Sequence, residues 1–295
     1  MPGDVVVPRN TRSILEKYGL QPKKSLGQNF LIDRNIRDKI IDAAAITQDD
    51  VVLEIGPGVG TLTEELARRA ARVTAVELDG GLVQVLRDRL PSERVWVVEG
   101  DVLALEPPAL VGEVSPKQRI KIVANLPYYI TSPIIFHFLE WKRWEMMVIM
   151  VQEEVGERLV AGPGTKAYGA LSVAVALHAR AEVLFKVSSR VFWPRPQVGS
   201  AVVRLVPRDD FGVDPKECSP LVRAAFGQRR KTLANALSAA PWNPLSKEET
   251  EKVLLSARID PVRRGESLTP EEFVRLWMEF QRVGKIQDVA GRNGD

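Results

Sequence analysis

The chain is short of the residues that staple small secreted proteins or build metal sites. It has one cysteine, Cys218, and two histidines, His137 and His178, far apart in sequence. A lone thiol cannot close an intrachain disulfide or form a thiolate metal cluster. No apolar run reaches the roughly 20 residues that span a bilayer. The N-terminal MPGDVVVPRN lacks the charged, apolar and small-residue blocks of a signal peptide. A cytoplasmic protein without membrane segment or metal is the expectation. Nor is one sign of charge in large excess: 41 Lys and Arg face 38 Asp and Glu, a net charge of +3. Distribution says more than the total. Basic residues gather at Arg9, Arg12, Lys17, Lys23 and Lys24, and again at Arg223, Arg229, Arg230 and Lys231. Such runs suit phosphate contacts, but a solvated face explains them as readily.

What is present is ordinary globular material. Apolar residues make up 45% of 295, enough for one large domain and a smaller one. Residues 1–24 are polar, basic and without clear periodicity, and read as an arm. Asp33 is positioned to cap a helix carrying Ile36, Ile40, Ile41 and Ala44 on one face. A strand at Val51–Ile55 then runs into the turn Gly56-Pro57-Gly58-Val59-Gly60, and Thr61 with Glu64 forms a capping-box pattern for the next helix. Strands follow at Val73–Val76, Val95–Val98, Ile120–Ala124 and Met146–Val151, with a helix at Leu82–Leu90. This alternation predicts an α/β fold, a parallel sheet covered on both faces. Ala181–Val187 and Ser200–Val206 read as an antiparallel pair at the sheet edge, joined through Trp193-Pro194-Arg195-Pro196. Beyond Pro207 the pattern turns helical, at Leu221–Ala239, Lys247–Ser256 and Pro270–Val283, so a domain boundary is placed near 208. The tail GRNGD reads as disordered.

The glycine-rich turn brings backbone close to a ligand at a helix N-terminus. A dinucleotide fingerprint needs glycines at its first, third and sixth positions. Here the third glycine comes early, at Gly60, and Pro57 removes an N–H. That favours a ligand without a pyrophosphate, such as S-adenosylmethionine. Glu77 ends the second strand of the alternation, 21 residues after Gly56, where an acid accepts both ribose hydroxyls. Asp101 follows the third, placed to accept from an adenine amine. A solvated strand-end acid and a turn aspartate are the plainer readings of these two.

Asn125-Leu126-Pro127-Tyr128 stands just past the fourth strand. Adenine N6 is a poor nucleophile because its lone pair is delocalised into the ring. Two acceptors holding its hydrogens let the nitrogen move towards tetrahedral geometry and aim at a methyl donor. The Asn125 side-chain oxygen and the Leu126 carbonyl, fixed in direction by Pro127, supply two. Tyr128 offers a flat face to the base, which must leave its stack to arrive. An ordinary strand-to-helix turn is the alternative. Phe192 either stacks on the base's other face or packs in the core.

These motifs, with Lys24-Ser25-Leu26-Gly27-Gln28-Asn29-Phe30-Leu31, Glu54 through Thr63, Val76-Glu77-Leu78-Asp79, Gly100-Asp101, Ala124 through Ile130 and Phe226 through Leu233, resemble the small-subunit (16S) ribosomal RNA adenine dimethyltransferases, the bacterial kasugamycin-sensitivity enzyme and its relatives. The resemblance covers about Lys23 to Leu237. It implies a Rossmann-like class I methyltransferase domain with a seven-stranded, mostly parallel sheet over 25–207, and a helical RNA-binding domain over 208–295. It implies S-adenosylmethionine bound through Asn29, Leu31, Gly56, Glu77, Asp101 and Asn125, with Gln28, Gly58, Leu78 and Val102 beside them. The catalytic set it implies is Asn125, Leu126, Pro127, Tyr128 and Phe192. Lys23, Lys24, Arg223, Arg229, Arg230 and Lys231 are the expected RNA contacts. The implied substrate is a pair of adjacent adenosines in the 3′-terminal hairpin of 16S rRNA, in the 30S subunit or its precursor, and the enzyme is expected to be a monomer. Gly199 departs from the family, which usually has an acid before the serine matched by Ser200. Three rival readings are a macrolide-resistance methyltransferase of 23S rRNA, a nicotinamide-dependent dehydrogenase and a non-catalytic assembly factor.

Overall fold

A computed structural model describes residues 8–112, 118–141, 143–208, 211–212, 214–228 and 230–284. The described residues fall into two compact units: those up to Glu157 together with Arg180–Pro207, and Arg158–Ala179 together with those from Arg208 onward. The second unit therefore takes in Arg158–Ala179, which the sequence pattern leaves with the sheet.

The first unit is built on a seven-stranded sheet. Its strands are β2 (Val51–Ile55), β3 (Arg72–Glu77), β4 (Val95–Glu99), β5 (Ile120–Asn125), β6 (Trp144–Gln152), β7 (Ala179–Val187) and β9 (Ser200–Pro207), in the order β4-β3-β2-β5-β6-β9-β7. Strands β4 to β6 pair in parallel, and β9 runs antiparallel to β6. Every residue of β2 is buried, as a central strand covered on both faces requires. Covering one face are α2 (Arg34–Ala43) and α3 (Thr63–Arg69), whose Ile40, Ile41 and Leu66, with Leu62 just before α3, join Val52, Val73 and Val123 in one core. Each such side chain contributes about 1.5–3 kcal/mol when fully buried. Asp33 caps α2, accepting from the Ile36 N–H at 3.0 Å.

Three local expectations need correction. Residues 8–17 are not an irregular arm: Pro8–Lys17 is a helix, α1, whose Ile14 and Leu15 pack with Leu82 and Val85 of α4 (Gly80–Arg89). Thr61 does not cap α3, because its hydroxyl donates instead to the Leu31 carbonyl at 3.3 Å, and the helix starts at Thr63 with no side-chain cap. The helix expected over Leu221–Ala239 is two, α9 (Pro215–Gly227) and α10 (Leu233–Ser238), with Thr232 capping the second. Gln228, Arg230 and Lys231 consequently lie in the turn between helices.

The second unit is helical. α8 (Ala170–His178), α9, α10, α11 (Lys247–Ser256) and α12 (Pro270–Val283) surround a core that includes Tyr168, Leu221, Trp242, Leu254, Phe273 and Trp277. The one cysteine is part of it: burial pushes the Cys218 thiol up to about 12, with Glu217 and Asp214 adding to the shift, so it is an inert packing group. Among the described residues no helix is long and apolar enough to cross a membrane.

Candidate active site

Strand order places the site. From β2 the chain adds β3 and β4 on one side, then returns to add β5 and β6 on the other. The connections part at the carboxyl ends of β2 and β5 and leave a crevice there, where open α/β sheets bind ligands. Ile55 is level with Val76 of β3 and Ala124 of β5. The next residues outward, Glu77, Gly56 and Asn125, therefore form a row across three strands. A cavity with about 970 Å³ of empty space, part of it open to solvent, lies over this row. Its walls are Leu26–Leu31, Glu54–Gly58, Glu77, Leu78, Asp101, Val102 and Asn125–Ile130, among others. All ten expected cofactor contacts line it, as do Leu126, Pro127 and Tyr128.

The glycine turn fastens an acid. Gly58 has φ +61°, and a Cβ there would stand 3.1 Å from the Phe30 ring. Its N–H donates to Glu77 Oε2 at 3.1 Å, while Oε1 accepts from the Asp79 N–H at 3.0 Å. Burial pushes the Glu77 carboxyl up, against the pull of these N–H groups.

Asp79 ties down the wall formed by residues 23–31. It accepts from Lys23 Nζ at 2.9 Å, Gln28 Nε2 at 3.0 Å and the Gly81 N–H at 3.1 Å. Burial alone would raise its carboxyl; the Lys23 and Gln28 contacts outweigh that and hold it below the usual carboxylate range. Lys23, expected on phosphate, is thus engaged beside the cavity. Gln28, expected on the cofactor, also accepts from the Lys23 N–H at 2.8 Å and serves as the knot of this loop.

Asn125 is oriented by its neighbour. Its Nδ2 donates to the Asn29 carbonyl at 3.2 Å. A carbonyl can only accept, so the amide must face it and Oδ1 is turned the other way. Among the described residues nothing donates to that oxygen. The Pro127 carbonyl is taken by the Thr131 hydroxyl at 2.9 Å and the Ile130 N–H at 3.3 Å. The Leu126 N–H reaches the Met150 carbonyl at 3.0 Å, but no donor among the described residues meets the Leu126 carbonyl. Two successive residues thus offer open acceptors at one place. Tyr128 is fixed by its hydroxyl, 2.7 Å from Ser200 Oγ, and burial pushes its phenol up.

Two expectations meet a different structure. Asp101 lines the cavity, yet Oδ1 also accepts from the Leu103 N–H at 2.9 Å, so the turn role and an open second oxygen coexist. Phe192 does not reach the cavity. It pairs with Leu31 through the two-residue strands β1 (Phe30–Leu31) and β8 (Phe192–Trp193), and the residue is 3% exposed, in the core. Core packing is its observed role. Lys24 is exposed on a short turn of 3₁₀ helix, and Arg223, Arg230 and Lys231 are exposed on the second unit. Arg229 lies outside the described residues.

Sequence reasoning assigned no role to Glu54, Asp79 or Ser200. Glu54 had a signal, a carboxylate inside the otherwise apolar strand VVLEI. Ser200 had none, since its partner is 72 residues away.

The charge of the lining selects among ligands. It includes the carboxyls of Glu54, Glu77 and Asp101, and among the described residues no lysine or arginine. A pyrophosphate would find carboxyls and no lysine or arginine there. The ammonium, ribose and adenine of S-adenosylmethionine find acceptors there and its sulfonium meets no lysine or arginine, so these residues fit that donor.

A family model described as ribosomal RNA adenine dimethylase matches residues 19–281. A protein named ribosomal RNA small subunit methyltransferase A from Alkaliphilus metalliredigens (strain QYMF) is 46% identical over 286 residues, 93% of this chain and 97% of that one. One of the same name from Geobacillus kaustophilus (strain HTA426) is 48% identical over 92% and 96%. A solved dimethyladenosine transferase from Plasmodium falciparum superposes with a TM-score of 0.74 at 29% identity, over 87% of this chain and 99% of that one. The 23S rRNA methyltransferase ErmE gives 0.64 at 29%, over 86% and 100%. The chain belongs to the ribosomal RNA adenine dimethylase family.

Proposed function

We propose that this chain is the S-adenosylmethionine-dependent enzyme that dimethylates N6 of two adjacent adenosines in the 3′-terminal hairpin of 16S rRNA. It acts in the cytoplasm, as a monomer, on the 30S subunit or its precursor. The small-subunit assignment is supported by relatives at 46–48% identity that carry that name. The observation that carries the chemistry is the pair of open acceptors, Asn125 Oδ1 and the Leu126 carbonyl, at an acid-lined cavity.

When bound, the methyl donor supplies an electrophilic methyl group on a positively charged sulfur. The chain's residues do the rest. Glu77 takes the ribose hydroxyls, and Asp101 takes the adenine amine with its open oxygen. Asn125 Oδ1 and the Leu126 carbonyl hold the two hydrogens of the target amine, so its lone pair points at the methyl. As positive charge grows on N6, these fixed dipoles meet it without reorganising. Tyr128 holds one face of the extruded base, its ring set by Ser200.

The test is incubation of the full-length protein with labelled donor and unmethylated 30S subunits, followed by nucleoside analysis. N6,N6-dimethyladenosine is expected. Label entering only naked 23S rRNA would support the macrolide-resistance reading instead.

A further inference from the structure

We propose that Tyr129 is a second stacking platform, which holds the base next to the one being methylated. This rests on the RNA substrate given above and adds a contact to it. Methyl transfer needs one base out of its stack. The neighbouring base on the strand then shows a bare face at the mouth of the cavity. Single-stranded RNA is held by laying such faces on aromatic rings. Among the described residues, the rings that line the cavity are Phe30, Tyr128 and Tyr129. Phe30 is buried, and Tyr128 is committed to the base inside. Phe192, in the core, does not reach the cavity. Tyr129 is 53% exposed. It follows Tyr128 directly, so the two platforms are one residue apart where the two bases are one nucleotide apart.

The ring is backed as well as exposed. A Cβ at Gly27 would stand 3.4 Å from its Cδ1 and 3.9 Å from its Cε1, so one edge of the ring lies against the backbone of the 23–31 wall. Gly27 has φ +59°, which glycine adopts without steric cost. That backbone is fixed in turn. The Gly27 N–H donates to the Lys24 carbonyl at 3.0 Å, and the Gly27 carbonyl accepts from Asn29 Nδ2 at 2.9 Å. Beside it, Gln28 is pinned to Asp79 at 3.0 Å. A ring already held on one side loses little freedom when a base settles on it. Tyr129 is also unspent: among the described residues nothing bonds to its hydroxyl or stacks on its ring. An aromatic ring so exposed, supported by the chain and unused by it, at the rim of the target pocket, fits a nucleobase.

The test compares intact 30S subunits with subunits rebuilt so that one or the other adenosine of the pair is abasic, reading methyl transfer to the adenosine that remains. On intact subunits Tyr129→Ala is expected to lower kcat/KM about tenfold or more, the effect of one lost base–aromatic stack. Tyr129→Phe should recover most of that, since the ring face and not the hydroxyl makes the contact. On at least one abasic substrate the native protein and Tyr129→Ala should come within about twofold of each other, because the base that the ring would hold is gone. Calorimetry with S-adenosylhomocysteine, the demethylated donor, should give Tyr129→Ala an affinity within about twofold of native, which also shows that the variant folds. No loss on intact subunits, a loss that persists on both abasic substrates, or a parallel loss of S-adenosylhomocysteine affinity overturns the role of Tyr129 and leaves the substrate assignment standing. Failure of the native protein to methylate intact subunits overturns both.

Discussion

At the scale of the residue, the site works by leaving particular atoms unpaired. Asn125 spends its amide on Asn29 and keeps its oxygen open. Ser200 spends its hydroxyl on Tyr128, 2.7 Å away. Ser200→Ala should loosen the Tyr128 ring and raise KM for the RNA roughly three- to tenfold, the effect of one lost hydrogen bond. Affinity for S-adenosylhomocysteine should stay as it was, and Ser200→Thr should recover most of the loss. Steady-state kinetics on 30S subunits, with calorimetry for the donor site, check both. Glu54 makes a stability prediction in the absence of ligand. Its folded value, about 8, lies above the ordinary carboxylate value. The cost of ionising it is therefore absent at low pH and grows as pH rises through that window. The melting temperature should fall between about pH 5 and pH 8.5, and the fall should be smaller in Glu54→Gln. An equal slope in the two proteins would show that Glu54 does not ionise in this range.

At the scale of the element, Asp79 joins a helix start to a cavity wall. It caps α4 through the Gly81 N–H and holds both Lys23 and Gln28. Asp79→Ala should cost about 1 kcal/mol for the cap and release the 23–31 segment, so donor affinity should drop together with the melting temperature. Thermal denaturation and calorimetry report the two separately. The elements themselves were legible where one physical signal dominated. Strands β2, β3 and β5 announce themselves as apolar runs because both faces are covered, and Asp33 and the Pro91 stop bound their helices by local chemistry. The misread elements were those where a distant partner took over a local signal. The Thr61 hydroxyl looks like a cap from its spacing to Glu64, but the Leu31 carbonyl, 30 residues earlier, claims it. The helix α1 hides because its buried positions, Thr11, Ile14 and Leu15, amount to one turn and include a threonine. The break between α9 and α10 is written as Thr232, a cap residue inside a continuous helical run. Phe192 is drawn into the core by strands two residues long, too short for any period to appear. The cavity lining was readable where it is made of strand ends; the tie of Lys23 and Gln28 to Asp79 was not, because that partner lies more than 50 residues on.

At the scale of the whole molecule, a sheet unit carries the chemistry and a helical unit offers Arg223, Arg230 and Lys231 to solvent. If those side chains neutralise phosphates, Arg230→Glu with Lys231→Glu should weaken binding to 16S rRNA and make it less sensitive to salt, by about one unit of log–log slope per lost contact. Donor binding should not change. Filter binding across a salt series reads this, and an unchanged slope would move the RNA contacts elsewhere. The account as a whole rests on the open oxygen of Asn125, and the most direct measurement is single-turnover methyl transfer by Asn125→Ala to unmethylated 30S subunits. The rate should fall by about a hundredfold to a thousandfold, as when one of a small set of fixed dipoles is lost, with 30S affinity within about twofold of native. Transfer at the native rate would contradict it.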